Sequence, residues 1–182
     1  MVTNKDEDRL EPQDIENIFK EETSLTFQKF SIDDAWNLGC LLRSEAISRG
    51  HSIAIEISLG EQRVFHTSLR GTSAHNNKWI ERKKATAREW GCSSYLVGLR
   101  FPILDPPYSL ETAPWMDVKR YSGSGGSVPI LISDTGIVGT VTVSGLRHDI
   151  DHAFVVEGLK KYREIQGEIN NGKRANCQSH DE

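Results

Sequence analysis

The sequence predicts an α+β domain, a central five-stranded antiparallel sheet with helices packed on it. Two observations carry this. Stretches with apolar residues at helical spacing are interspersed with short alternating stretches. The alternating stretches sit next to one another across glycine-bearing turns, as hairpins do, giving the order α, β, β, α, β, β, β, α. The length, 182 residues, suits one domain with tails.

Each element has its own signal. Pro12 to Glu22 can form a short helix, with Ile15, Ile18 and Phe19 on one side and Pro12 in the first turn. Residues 25–30 read as a bridge. Ser31 is a helix N-cap, followed by Asp33 and Asp34 where carboxylates suit the helix dipole. Ala35, Leu38, Leu42 and Ala46 then form an apolar stripe, and Gly50 ends the helix. Ile53, Ile55, Ile57 and Leu59 alternate with Ala54, Glu56 and Ser58 as a strand. Gly60-Glu61 turns the chain into a second strand, Arg63 to Leu69. Residues 76–90 read as a helix closed by Gly91, and Tyr95 to Leu99 as a third strand. Residues 101–126 hold four prolines and three glycines and read as a long functional or oligomer-contact loop. Val128–Ser133 and Ile137–Val143 form the last hairpin, and a final helix opens at Asp149. Residues after Gly167 are polar and read as frayed.

Charge divides the chain. Residues 1–24 carry 3 basic and 8 acidic side chains, residues 25–159 carry 14 of each, and residues 160–182 carry 5 and 4. The net charge of −4 therefore belongs to an acidic leader, residues 1–24, expected to be disordered over 1–11. The domain proper is expected over 25–166 and a polar tail over 167–182. A balanced body argues against a dedicated nucleic-acid binder, yet leaves room for one local basic patch. No apolar run approaches the ~20 residues of a membrane span, and no secretory signal is evident. Cys40, Cys92 and Cys177 are odd in number and far apart, as expected of reduced thiols in a cytoplasmic protein.

Three stretches could carry chemistry. Ser122-Gly123-Ser124-Gly125-Gly126-Ser127 is glycine-rich, but a strand follows it where a nucleotide loop needs a helix. Bare backbone there could still approach a ligand. Trp79-Ile80-Glu81-Arg82-Lys83-Lys84, with Arg88 beyond, is either a solvated helix surface or an anion site with Arg as the bidentate member. Ser144-Gly145-Leu146-Arg147-His148-Asp149-Ile150-Asp151-His152 places two histidines four apart. They could form a metal half-site, completed by His66 or His75, while Asp149 or Asp151 could simply cap the helix. Ser144, Asp151 and His152 lack the Gly-x-Ser-x-Gly setting of a hydrolase nucleophile.

Taken together, Gly125-Gly126, Pro129-Ile130, Gly136, Gly139, Ser144-Gly145-Leu146 and Asp151-His152 resemble the C-terminal signature of the haem-degrading-domain (GlcG/HbpS-like) family. Asp34-Ala35, Leu38-Gly39, Phe65, Asn77, Trp79-Ile80, Arg82-Lys83, Gly91 and Ser93-Ser94 are similar to its small bacterial and fungal branch, which has no settled activity. The resemblance implies a profilin-like or PAS-like fold and a homo-oligomer, a dimer or larger ring. It also implies haem as a cofactor to consider, since some relatives bind or degrade haem, bind corrinoids, or sense redox state. The expected ligand site comprises Asn77, Trp79, Arg82, Lys83, Gly125, Gly126, Ser144, Asp151 and His152. Basic groups, bare amides and a helix start there suit an anionic small molecule. His148, His152 and His75 are the candidate metal ligands, with His152 and His75 the candidates for haem iron. An oxidative haem-degrading enzyme is one alternative. A scaffold that meets a protein partner through the proline-rich loop, with Tyr108 and Trp115, is another.

Overall fold

The computed structural model describes residues 11–103, 113 and 117–178. The chain order is α1 (Pro12–Ser24), β1 (Thr26–Phe27), α2 (Ile32–Ser48), β2 (Ala54–Leu59), β3 (Gln62–Ser68), α3 (Ala74–Trp90) and α4 (Ser94–Arg100). A single 3-10 turn, Phe101–Ile103, follows, and then β4 (Ser127–Ile132), β5 (Gly136–Ser144) and α5 (His148–Gln178). Tyr108 and Trp115 of the expected partner loop lie outside the described residues.

The sheet has five strands in the order β1-β4-β5-β2-β3. All pairs are antiparallel except β1 with β4, where Thr26 lies beside Leu131 in parallel register. The sheet is therefore mixed rather than wholly antiparallel. The expected third strand is also corrected, because Tyr95 to Leu99 lies within α4. Ser93 caps that helix by accepting the Leu96 amide at 3.1 Å, and Leu96 and Val97 are buried. The fifth strand is instead the two-residue β1, inside the stretch expected to be only a bridge.

The two faces of the sheet differ in kind. One is apolar: Ile55 and Ile57 of β2, Val128 and Ile130 of β4, and Val141 and Val143 of β5. Leu38, Leu42 and Ala46 of α2 and Phe154, Val155 and Leu159 of α5 cover it, forming the main core. The other face carries Glu56, Ser58, Ser127, Thr140, Thr142 and Ser144. These are buried too, beneath α3. Lys83, Lys84 and Thr86 of α3 are buried with them.

At the other end of the molecule, α1 packs on α4. Ile15 joins Cys92, Leu96, Val97, Phe101 and Ala113 in a second, smaller apolar cluster, with Ile18 and Phe19 against it. Thus the segment read from charge as an acidic leader contributes a helix with a packed side. No described helix is long and apolar enough to cross a membrane.

Candidate functional site

The basic stretch of α3 splits by side. A helix turns about 100° per residue, so Arg82, Lys83 and Lys84 cannot point together. Lys83 and Lys84 turn inward, and only Arg82 stays half-buried at the surface. Lys84 Nζ donates to Glu56 Oε1 at 2.7 Å and lies 2.9 Å from Glu81 Oε2. Lys83 Nζ donates to Asp151 Oδ2 at 2.8 Å and to the Val143 carbonyl at 3.1 Å. Asp151 also accepts the amides of Leu146, at 3.0 Å, and Gly145, at 3.4 Å. Burial pushes the Asp151 carboxyl up and the Lys83 ammonium down, and each charge opposes the shift of the other.

The glycine loop is shaped by this pair. Gly126 has φ +122°, and a Cβ there would stand 2.9 Å from Lys83 Nζ and 2.6 Å from the Val143 carbonyl oxygen. A Cβ on Gly125 would stand 2.3 Å from the His148 carbonyl oxygen. Both glycines are buried, so the bare backbone lets the protein close on itself at these two points.

Above the pair lies open space. A cleft of about 240 Å³ is lined by His75, Asn76, Trp79, Ser124, Ser144 and His148, with Lys83 and Asp151 also in its wall. A second of about 400 Å³ shares Trp79, Ser124 and His148 and continues past Arg82, Tyr121, Ser122 and Gly123. Trp79 is the hub of both. Its indole Nε1 donates to His75 Nε2 at 2.8 Å, and the Arg82 guanidinium lies over its ring at 3.8 Å. Asn76 Nδ2 holds the far rim through the Ser144 carbonyl at 3.1 Å.

Of the expected site residues, Trp79, Arg82, Lys83, Ser144 and Asp151 therefore meet at adjoining clefts, with His75 and His148. Asn77 points elsewhere: its Oδ1 lies 3.2 Å from His66 Nε2 on β3. His152 is buried, and Tyr95 stands between it and His148, with ring centroids 4.6 Å from His152 and 5.7 Å from His148. Among the described residues, no three His, Cys, Asp or Glu side chains converge where they could hold a metal ion. Asp149 is held by Arg147, with two contacts of 2.6 Å that keep its carboxyl below the usual range.

His152 instead belongs to a second polar cluster. Its Nε2 is 3.6 Å from Glu22 Oε1, beyond hydrogen-bond reach, and its buried Nδ1 has no hydrogen-bond partner among the described residues. Glu22 of α1 accepts from Ser93 Oγ at 2.6 Å and from the Ser93 amide at 3.1 Å. Burial pushes Glu22 up to about 7 and His152 down to about 4, so between those values both favour their uncharged forms. Glu22 and Tyr95 carried no signal in the sequence. Ser93 and His152 lie 71 and 130 positions beyond Glu22, and contacts at that range leave no periodicity to read.

With this geometry in view, the comparisons are specific. A family described as haem-degrading protein HbpS-like matches residues 30–160. The chain belongs to this family. Relatives within reach include a UPF0303 protein of Streptomyces avermitilis, 40% identical over 151 residues, covering 83% of this chain and 91% of that one. A UPF0303 protein of Burkholderia cenocepacia is 36% identical over 146 residues, covering 80% and 87%. Among solved structures, the Ybr137w protein superposes with a TM-score of 0.76 at 28% identity, covering 82% of this chain and 89% of that one. A PduOC:haem complex superposes at 0.59 with 14% identity, covering 72% and 93%, which shows a shared fold. Glu22 lies before the first residue of the HbpS-like match.

Proposed function

We propose that this HbpS-like protein is a small-molecule-binding module whose ligand is flat and anionic, with haem the first candidate. The carrying observation is the Trp79–Arg82 stack at the junction of two adjoining clefts. An indole face suits a flat ring, and a guanidinium with no carboxylate partner among the described residues suits a carboxylate. The combined space falls in the range of ligand pockets, roughly 300–1,000 Å³. The side chains present fit haem: Arg82 for a propionate and His148 for the iron, since His75 already gives its acceptor nitrogen to Trp79. Bound haem would supply a redox-active iron. A structural neighbour of this fold is itself a haem complex, and the family description names haem degradation, which supports the same reading.

Haemin titration of the full chain tests it. The expected result is a saturable Soret change with quenching of tryptophan fluorescence, weakened about tenfold by Arg82→Ala. A linear, non-saturating response, or one that Arg82→Ala leaves unchanged, overturns it.

A second observation favours assembly. Ile32, Trp36 and Ile47 of α2 are 56%, 60% and 52% exposed, on a helix that packs beside β3, one edge of the sheet. We infer that copies of the chain meet across this side. A cytoplasmic location belongs to the same proposal, supported by Cys40 and Cys92 standing as free thiols.

A further inference from the structure

The Trp79 clefts continue, past Arg82, into a third space that the reading above does not use. It is a groove of about 530 Å³ between α3 and residues 119–120. Its walls are His75, Lys78, Glu81, Arg82, Lys119 and Arg120 with the methyl of Ala85. Four of these side chains are permanent cations. None of the four has a carboxylate within 4.0 Å among the described residues. The lone acid, Glu81, is already shared by Arg63, at 3.0 Å, and Lys84, at 2.9 Å. The described part of a body with 14 basic and 14 acidic side chains thus gathers four uncompensated positive charges around one groove. They repel one another, and a single multivalent anion would relieve all four.

The wall opposite α3 is fixed in place. The Ser122 amide donates to the buried Thr86 Oγ1 at 2.8 Å, and Tyr121 Oη donates to Glu89 Oε2 at 3.2 Å. The Tyr121 ring packs edge-on against Trp90 with centroids 5.1 Å apart. Arg120 lies over the Tyr121 ring at 5.0 Å, as Arg82 lies over Trp79. Arg82 lines both the cationic groove and the adjoining cleft, and that cleft carries Trp79 and Tyr121 together. One continuous trough therefore has a cationic end and an aromatic end, joined at Arg82.

We propose that this trough takes a nucleoside di- or triphosphate, with its phosphates among Lys78, Arg82, Lys119 and Arg120 and its base against Trp79 and Tyr121. The proposal rests on the reading that the Trp79 cleft receives a ligand, and it adds the class of anion. The phosphates are held here by side-chain cations, which replaces the glycine loop and helix start of a nucleotide-binding strand–loop–helix. Arginine supplies bidentate contacts to phosphate oxygens, and lysine supplies compact point charges. The aromatic faces are indifferent to base identity, so the site selects for phosphate number first.

Isothermal titration of the full chain with ATP, ADP, adenosine and inorganic pyrophosphate tests this, beside haemin. Saturable binding is expected for ATP, ADP and pyrophosphate, with ATP tighter than pyrophosphate and adenosine weakest. Lys119→Ala combined with Arg120→Ala, both exposed positions, should weaken ATP at least tenfold and leave haemin binding within twofold. His148→Ala removes the group placed on the haem iron, so it should weaken haemin at least tenfold and ATP by clearly less. Absence of ATP and pyrophosphate binding at millimolar concentration, or a double variant that still binds ATP within twofold of the parent, overturns the proposal. So does a single-stranded oligonucleotide that binds more tightly than ATP at 0.15 M salt, which would make the trough a nucleic-acid track. Haemin binding without ATP binding defeats this proposal alone, and ATP binding without haemin binding defeats haem as the ligand alone.

Discussion

Lys83 and Asp151 show how much one residue's setting can depend on another far along the chain. Their side chains are 4% and 1% exposed, and their charges are matched at 2.8 Å. Removing one partner leaves a buried charge without its counterpart, which typically costs about 3–5 kcal/mol. Lys83→Met should therefore lower unfolding free energy by about that much in urea titration. Adding Asp151→Asn to it should recover at least half, because the asparagine oxygen can still accept the Leu146 amide. A double variant no more stable than Lys83→Met would show that lost packing, rather than stranded charge, sets the cost. The sequence marked both positions as chemically interesting, and they do meet. It could not tell that Lys83 turns inward while Arg82 stays out, because a basic run looks alike on either side of a helix until the sheet beneath it is known. Asn77 shows the same limit: its neighbour Asn76 is the one that reaches Ser144.

At the scale of elements, the Glu22 carboxyl joins α1 to the start of α4 and to α5. Glu22 faces Ser93 and His152 directly, with Arg100, Glu21 and Cys92 also felt there; His152 in turn feels Glu21 and His148. The raised Glu22 makes the folded state hold more protons than the unfolded state between pH 4.5 and about 7, so its contribution falls as pH rises through that window. The lowered His152 does the opposite between about pH 4 and 6.5, where the unfolded state holds more protons and stability rises with pH. Each shift corresponds to about 3 kcal/mol, and the two slopes largely cancel in the parent. Single variants should expose them. Relative to the parent, Glu22→Gln should gain stability as pH rises from 4.5 to about 7, and His152→Gln should lose it as pH rises from about 4 to 6.5. Urea unfolding at pH 4, 5.5 and 7 reads both; parallel profiles for all three proteins would refute the pairing. Most elements were legible in sequence, including α2 with its Ser31 cap and Asp34 reaching back to the Ser31 amide at 2.7 Å. Two were not. Residues 95–99 are too few to separate period 2 from 3.6, and Ser93 decides for the helix by capping it. The strand β1 is two residues long and exists only because β4 offers an edge in parallel register.

For the whole molecule, the division of charge was legible and the division of the sheet was half legible. Glu56 and Ser58 alternate with Ile55 and Ile57 in the sequence as a polar set, but only the structure shows that α3 covers them. On the open side, the exposed Trp36 meets Phe65 edge-on at 5.8 Å, on β3 at one edge of the sheet. Trp36→Glu should shift sedimentation equilibrium toward the monomer, with a loss of stability no larger than the roughly 0.5–1.5 kcal/mol of the Phe65 ring contact. A monomeric parent at micromolar concentration would rule out the assembly proposed for this side.

The two unlike faces of the sheet also imply an order of events as the chain folds. The apolar face can begin to form in many registers, because Ile55 gains from meeting Leu38, Leu42 or Val143 almost equally. The α3 face has no such tolerance. Lys83 buried before Asp151 arrives is a stranded charge, and Asp151 lies 68 positions from its partner. The collapse that starts the domain therefore belongs to α2, α5 and the sheet between them. The docking of α3 belongs to the end, when β5 and the first turn of α5 are already in place to receive it.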